Sequence, residues 1–425
     1  MENWLPLVSL IFLIVAIAAG FITKINTGFI AVGLALILGR MSGISDGEIV
    51  RGFNYSLFFT LTGVTFLFSI AQHNGTLELF ATKVVALFSK RAYLIPIVIY
   101  LLAVVLSAIG PGTIPVTALI APIAISLAIQ MRVEPIRLAP FGILGACAGG
   151  FSHIAPTGII GITVAADNGI TGLKYSLVLG LVVGMGLYAL MLYFAFKCYN
   201  MKTALPMRPS DLPSFSRNQW ITLAGILVMT LLILLFKVNV GLAAFIVSMV
   251  LLLLRVADEQ KSLAGIPLGT LWLVTGVGVL MNLVLELGGI DLLAGLLAKL
   301  MTRTTAAPII SLTSGILSWF SSTSGVVLPT LIPTVPNIAQ QVSGVNMAEM
   351  VIAISTGSHA AALSPLSTLG ALAIAAYTTM TDTDARKRNK LFGQMFIVSI
   401  IGVLLMAVLS WTGLFGLIAR SVPIT

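Results

Sequence analysis

The 425-residue chain is poor in charge. Asp, Glu, Lys and Arg make up only 9% of it, against 58% in the apolar set. Ordinary soluble domains carry about 25% charged and about 45–50% apolar residues. Mean hydropathy is +1.09. A soluble core cannot absorb that much apolar surface, so a soluble enzyme, a nucleic-acid-binding protein and a disordered chain are excluded. A polytopic membrane protein is left. Cysteine is scarce as well. Cys147 and Cys198 lie in apolar runs with no CxxC or Cys/His cluster, and read as buried free thiols. Histidine occurs three times. No Asp or Glu stands in the middle of an apolar run, since Glu286 and Asp167 fall at run ends, which disfavours a proton relay built on buried carboxylates. No Walker motif, HExxH or Ser/His/acid constellation appears, so ATP hydrolysis and proteolysis have no support, and an integral membrane enzyme would have only two histidines to draw on. The start, Met1-Glu2-Asn3-Trp4, lacks the basic n-region of a cleavable signal, so the first apolar run reads as a retained span.

What is present is a list of apolar runs that occurs twice. The first set covers 5–22, 27–39, 50–72, 93–110, 113–131, 137–150, 156–166 and 172–196. The second covers 219–236, 239–254, 266–287, 305–320, 325–341, 347–357, 364–378 and 391–418. Between them lies a polar stretch with Lys202, Pro206, Arg208, Pro209, Asp211 and Pro213, read as a cytoplasmic linker over 199–217. Short matches recur in the same order: Thr62-Gly63-Val64 with Thr275-Gly276-Val277, Gly75 with Gly289, Pro96 with Pro308, Pro122 with Pro333, and Ser152-His153 with Ser358-His359. The chain therefore divides into repeats at 1–198 and 218–425. Each half reads as three helices, a short amphipathic helix at the membrane surface (Thr76–Lys90; Asp291–Arg303), a pair of limbs with a Gly/Ser/Pro tip, a broken helix and a final span. A limb pair leaves and returns on one side, so each half crosses the membrane an odd number of times and the second half enters upside down. The expected fold is an all-α polytopic membrane protein of about ten spans plus two re-entrant hairpins. Limbs of about 14–16 residues reach about 21–24 Å, short of a core of about 30 Å. Two full spans joined at the far surface would have the same parity.

The net charge of +9 need not mean a nucleic-acid partner, because Lys and Arg collect in cytoplasmic loops. With the N-terminus on one side, Lys24, Lys83, Lys90, Arg91, Arg132, Arg137, Lys197, Lys202, Arg208, Arg217, Arg255, Lys261, Arg386, Lys387, Arg388 and Lys390 fall on the other, 16 of the 23 cations. That richer side is expected to be cytoplasmic, with both termini outside an inner, or cell, membrane.

Polar character concentrates at four interruptions. The first tip is Ser107-Ala108-Ile109-Gly110-Pro111-Gly112-Thr113, and the second is Ser318-Trp319-Phe320-Ser321-Ser322-Thr323-Ser324-Gly325. The broken helices read Gly149-Gly150-Phe151-Ser152-His153-Ile154-Ala155-Pro156-Thr157-Gly158 and Ser355-Thr356-Gly357-Ser358-His359 followed by Ser364-Pro365-Leu366-Ser367-Thr368. Proline and glycine cannot hold continuous helix there, and unpaired backbone in hydrocarbon costs several kcal/mol per group, so these segments must be buried in protein or line a polar cavity. Unwound centres offer carbonyls to a cation and half-helix N-termini to an anion. Four consecutive hydroxyl residues point more to a site than to packing, although isolated Ser and Thr usually bond their own backbone. His153 and His359, placed at matching breaks, are expected to face the cavity, whereas His73 reads as interfacial. No Lys or Arg lies at the expected site. The candidate substrate contacts are Gly112, Thr113, Ser322, Thr323, Ser324, His153, Pro156, Thr157, His359, Pro365, Ser367 and Thr368.

This arrangement resembles the ion-transporter superfamily of divalent-anion carriers, and more closely the MatC-type malonate/dicarboxylate carriers. Ser107…Gly110-Pro111-Gly112-Thr113 and Ser321-Ser322-Thr323-Ser324-Gly325-Val326-Val327-Leu328-Pro329-Thr330, with both broken helices, bear the likeness. The resemblance implies secondary transport of a small dicarboxylate such as malonate or a C4 acid, cation-coupled, by a homodimer with an elevator mechanism. Its scaffold would be 5–40, 172–198, 218–255 and 388–418, and the moving elements 50–166 and 266–378. Sodium-coupled relatives bear Ser-Asn-Thr at each tip. Neither tip here has the Asn, and Thr113 and Thr323 stand in the Thr place. The candidate sodium ligands are Ser107, Gly110, Gly150, Ser321 and Gly357, and no other cofactor is implied. A proton-coupled or exchange carrier of another organic anion, and a passive channel, are the rival readings.

Overall fold

The computed structural model describes residues 4–88, 91–201, 211–380 and 385–421. Lys90 and the linker residues Lys202, Pro206, Arg208 and Pro209 lie outside them, as do Met1, Glu2 and Asn3. All regular structure among the described residues is helical. The first half holds α1 (Leu5–Thr23), α2 (Thr27–Ser42), α3 (Asp46–Arg51), α4 (Tyr55–His73), α5 (Thr76–Leu87), α6 (Ile95–Ala108), α7 (Thr113–Gln130), α8 (Ala139–Gly149), α9 (Pro156–Asp167) and α10 (Lys174–Ala195). The second holds α11 (Arg217–Phe236), α12 (Val240–Leu253), α13 (Glu259–Ala264), α14 (Leu268–Glu286), α15 (Gly289–Ala298) and α16 (Ala306–Phe320). A π-helical turn, Thr323–Val327, then leads through α17 (Leu328–Leu331) to α18 (Val335–Gln341), followed by α19 (Met347–Ala360), α20 (Thr368–Met380), α21 (Ala385–Trp411) and α22 (Leu414–Ser421). Among the described residues, seven helical stretches are long and apolar enough to cross a membrane, and seven further apolar helices are shorter. The outgoing limbs α6 and α16, of 14 and 15 residues, have the short length expected of hairpin limbs, whereas the returning limb α7 has 18.

Local chemistry starts corresponding helices in corresponding ways. The Asn26 side chain accepts the Gly28 N–H at 2.9 Å to open α2, and Asn239 accepts the Gly241 N–H at 2.9 Å to open α12. Ser45 and Glu48 close a capping box on α3, and Asp258 accepts the Lys261 N–H at the start of α13. Before α5 and α15 the chain turns through Gly75 (φ 73°) and Gly288 (φ 77°), a left-handed conformation that costs glycine nothing. The partner of Gly75 is thus Gly288, one residue before the Gly289 matched by sequence.

Two helix pairs exchange partners between the halves. α2 lies against α14, and α12 against α4. Glycine permits both approaches. A Cβ on Gly28 would lie 2.1 Å from Trp272 O, and one on Gly276 2.4 Å from Gly28 O; one on Gly63 would lie 2.6 Å from Gly241 O, and one on Gly241 2.6 Å from Thr60 Cα. Small residues that let backbones touch are how apolar helices associate when lipid is as apolar as they are.

The hairpins and broken helices form a second packing group with α10 and α21, where the resemblance had implied scaffold helices. α6 packs on α8, α16 on α19 and α21, and α10 on α8 and α19. Specific contacts fix this grouping. Gly180 of α10 admits Ile352, whose Cγ2 would lie 2.4 Å from a Cβ there. Tyr188 Oη donates to Val398 O at 2.5 Å, and Trp319 Nε1 to Ser399 Oγ at 2.8 Å. α4 and α14, expected among the moving elements, belong by their packing with α12 and α2.

At the polar end of α7, Glu134 meets Lys390 of α21 at 2.5 Å. The hydrogen bond from Lys390 holds the Glu134 carboxyl below its ordinary 4.5. Its contribution to stability is therefore complete above pH 4.5 and is lost as pH falls through the lower folded value. Both side chains are more than half exposed, with 60% and 52% relative exposure, so Glu134→Gln should change stability by less than about 1 kcal/mol. Melting of wild type and variant between neutral pH and pH 3 checks this, with the curves converging at the acid end.

Candidate functional site: four helix starts around one cavity

The first tip is shaped by Gly110 (φ 141°) and Gly112 (φ 82°), after which α7 begins at Thr113. Ser107 Oγ donates to Ala146 O at 2.8 Å, and Ser152 Oγ to Ala108 O at 2.5 Å. The first tip is thereby tied to the first broken helix, whose second piece, α9, starts at Pro156. A Cβ on Gly112 would lie 2.9 Å from Pro156 Cδ, so the starts of α7 and α9 abut. At the second tip Ser322 Oγ accepts the Gly325 N–H at 3.2 Å. Thr323 Oγ1 lies 3.0 Å from Ser318 Oγ and donates to Ser358 O at 3.4 Å, tying this tip to the second broken helix. There Ser367 Oγ accepts the Gly370 N–H at 3.3 Å and caps α20, which starts at Thr368.

The four starts converge. A cavity is lined by Thr113, Ile114, Thr157, Ser318, Ser321, Ser322, Thr323, Ser324, His359, Ala362, Ser367, Thr368 and Leu369. Each of the four helical segments that begin here presents first-turn N–H groups and the positive end of its dipole. Among the described residues, the N–H groups of Thr113, Thr157, Thr323 and Thr368 have no protein acceptor. Hydroxyls supply further donors, and no charged side chain lines the cavity. His359 Nδ1 lies 3.2 Å from Ser355 O, and its ring stacks edge-on against Phe151 at 4.7 Å. With Nδ1–H given to that carbonyl, neutral His359 has only an acceptor left at Nε2. Donation to an anion therefore falls to backbone and hydroxyl groups. A set of this kind suits a small carboxylate.

Eight of the expected substrate contacts line this cavity, Thr113, Thr157, Ser322, Thr323, Ser324, His359, Ser367 and Thr368, together with Ser321, a candidate sodium ligand. Gly112 and Pro156 line an adjoining cavity that shares Thr113, Ile114, Thr157 and Ser324 and reaches Thr65 of α4 and Thr270 of α14. Pro365 is buried and lines neither. His153 lies elsewhere, in a larger cleft with Lys174, Tyr175 and Lys237.

The two histidines are not counterparts. Ser152 Oγ accepts the N–H two residues on, from Ile154, and Ser364 Oγ does the same for Leu366. A Cβ on Gly158 would lie 2.0 Å from Ser152 O, and one on Gly370 2.1 Å from Ser364 O. Ser152 therefore matches Ser364, His153 matches Pro365, and His359 stands in α19 before its break. The Ser-His dipeptide recurs by coincidence, in a register six residues away from the one the backbone uses.

Of the candidate sodium ligands, Gly110 has a steric explanation, since a Cβ would lie 2.1 Å from the Phe68 ring. A Cβ on Gly357 would lie 2.2 Å from Ser311 O of α16. Ser107 and Ser321 remain at the tips, with Gly150 in the first broken helix beside Ser107. A Cβ on Gly150 would lie 3.2 Å from Ser107 Oγ, and Ser321 Oγ donates to Leu317 O at 2.6 Å. These are hydroxyls and carbonyls, hard oxygen donors that fit an alkali cation. Among the described residues no three His, Cys, Asp or Glu cluster as a metal site. Ser318, in the last turn of α16 before Ser321, is a cavity residue that the list of expected contacts lacks; the i, i+3 spacing was the available signal.

Residues 3–150 match the family described as dicarboxylate carrier protein MatC N-terminus. The match ends at Gly150, within the first broken helix. Of the solved structures, the YdaH transporter of Alcanivorax borkumensis, a crystal structure described as revealing an unusual topology, superposes with a TM-score of 0.59 at 13% identity, covering 86% of this chain and 87% of that one. No curated protein matches the sequence. The family is one of carriers and the structural neighbour is a transporter. The chain is thus a multi-pass membrane protein by its apolar helices, with a fold shared with a transporter.

Proposed function

We propose that this protein is a secondary transporter of a small dicarboxylate of the malonate or C4 class. The observation that supports this most is the convergence of four helix starts and a ring of hydroxyls on one uncharged cavity. One helix end is worth about 0.3–1 kcal/mol to an anion, and up to about 2 when partly buried. Several together can hold a carboxylate without a guanidinium, and the MatC description of residues 3–150 names dicarboxylates as the cargo class. The matched caps and exchanged helix pairs support two inverted repeats. The packing supports an elevator in which the hairpins, broken helices, α10 and α21 move against a scaffold of α1, α2, α4, α11, α12 and α14. We place sodium as the coupling cation, held near Ser107, Gly150 and Ser321, the assembly as a homodimer, and the termini outside the cell membrane.

Proteoliposome uptake of radiolabelled malonate, succinate and malate, with and without a sodium gradient, tests the reading. Saturable uptake is expected, stimulated by inward sodium. Absence of uptake and exchange for every carboxylate tried would overturn it, and uptake indifferent to sodium would remove the coupling ion alone. Thr113→Ala and Thr323→Ala should each weaken the thermal shift given by dicarboxylate, by about tenfold in affinity for one hydrogen bond to a charged group, with the fold retained. Unchanged shifts in both variants would move the site elsewhere.

A further inference from the structure

α4 and α9 wall not only the adjoining cavity but a wider cleft beside it. Leu61 and Thr65 of α4 and Ile160 of α9 face the former; Leu57 and Thr60, with Ile159, Ile162 and Thr163, face the latter. The cleft is lined by Lys174, Lys237 and Asp167. It shares Asn54, Ser56, Leu57 and Asp167 with a neighbouring cavity that Arg51 lines. Three cations and one carboxylate thus line clefts on the same two helices, α4 and α9, that wall the cavity adjoining the hydroxyl site.

Two of these charges sit against their own helices. Lys174 is the first residue of α10, where the dipole disfavours a cation, and Asp167 is the last of α9, where it disfavours an anion. Among the described residues neither Lys174 nor Lys237 lies within 4 Å of a carboxylate. Lys174 instead stands over the Tyr175 ring at 5.5 Å. Unpaired cations in a cleft with low-dielectric walls focus a positive potential into it. They also stand on opposite packing groups, Lys174 on α10 and Lys237 at the end of α11.

We propose that Lys174 and Lys237 form an anion-capture site in this cleft, which recruits the substrate before it meets the hydroxyl cavity and favours dianions over monoanions. The inference rests on the carboxylate-transport reading above and adds to it the source of charge selectivity, which the uncharged cavity lacks. Enrichment by a potential is exponential in ligand charge, so a factor of about three for a monoanion becomes about ten for a dianion, within the range that steering reaches.

The test is initial uptake of a labelled dicarboxylate and of a labelled monocarboxylate at subsaturating concentration, by reconstituted full-length protein, at about 0.01 M and about 1 M ionic strength, where the screening length falls from about 30 to about 3 Å. Lys174→Gln/Lys237→Gln should lower subsaturating dicarboxylate uptake about tenfold at low salt, leave the maximal rate unchanged and flatten the salt dependence. Asp167→Asn should move uptake upward, which a merely structural defect would not do, and Lys174→Arg should retain wild-type behaviour. Wild type that carries dicarboxylates with the double variant unchanged, or with mono- and dicarboxylate uptake reduced equally, overturns the capture site alone. Wild type that carries no carboxylate overturns the transport reading itself.

Discussion

Ser322→Asp should abolish carboxylate uptake, by at least about 100-fold, while the protein stays folded and melts no lower than wild type. The expectation has two parts. Ser322 opens the second return limb by accepting the Gly325 N–H, and Asp is as good a residue for that position as Ser. The variant therefore keeps the local structure, and its carboxylate gains from the positive helix ends around it. The same carboxylate stands in the cavity lined by Ser321, Thr323 and Ser324. Two unit charges about 5 Å apart repel by about 3 kcal/mol at an effective dielectric of about 20, and a dianion feels this twice over. A built-in anion thus takes up the field meant for the cargo. The measurements are uptake and the dicarboxylate-dependent melting shift, both of which should vanish. Ser322→Ala is the companion variant. It loses the cap, at about 1 kcal/mol, but adds no charge, and should retain measurable uptake. If Ser322→Asp transported normally, the helix starts would not be the anion site.

Much of this site was legible before any coordinates, because its signals are chemical. Proline and glycine inside apolar runs marked the interruptions, and an apolar environment left the backbone there no option but burial or a polar cavity. Ser321 to Ser324 announced themselves by composition. What could not be read was register. Ser-His occurs twice, and a six-residue slip is invisible where apolar filler on either side scores alike. The backbone sets the register at Ser152 and Ser364 through hydroxyl turns and through Gly158 and Gly370, whose missing side chains face the preceding turn. Nor could the sequence assign helices to packing groups. Hydropathy marks α4 and α10 alike as apolar, but only tertiary contact shows that Gly63 of α4 accepts the α12 backbone while Gly180 of α10 accepts Ile352. Lys174 and Asp167 were visible as residues at run ends. That they stand across one cleft from Lys237 depends on how α9, α10 and α11 meet.

The exchanged helix pairs make the second large prediction, and it tests the proposed repeat. Gly28→Ala should force Cβ to within 2.1 Å of Trp272 O, and Gly241→Ala to within 2.6 Å of Thr60 Cα. Both obstacles are backbone, so neither can rotate away, and relief requires α2 to move from α14 or α12 from α4. Overpacking of this kind costs about 1–3 kcal/mol, and more where nothing gives. In the absence of a hydrophobic drive between helices, close backbone approach is most of what holds each pair. Each variant should therefore lower the melting temperature in detergent by several degrees, and the two should do so by similar amounts, because each breaks the same contact in a different half. Gly33→Ala on α2, where nothing lies within 4 Å of the added carbon, should leave melting unchanged. In the fraction that remains folded, the dicarboxylate shift should survive, since no residue of either pair lines the hydroxyl cavity. A large loss for Gly28→Ala with none for Gly241→Ala would show that the two pairs bear unequal loads, and would separate the repeat in sequence from any equivalence in mechanics.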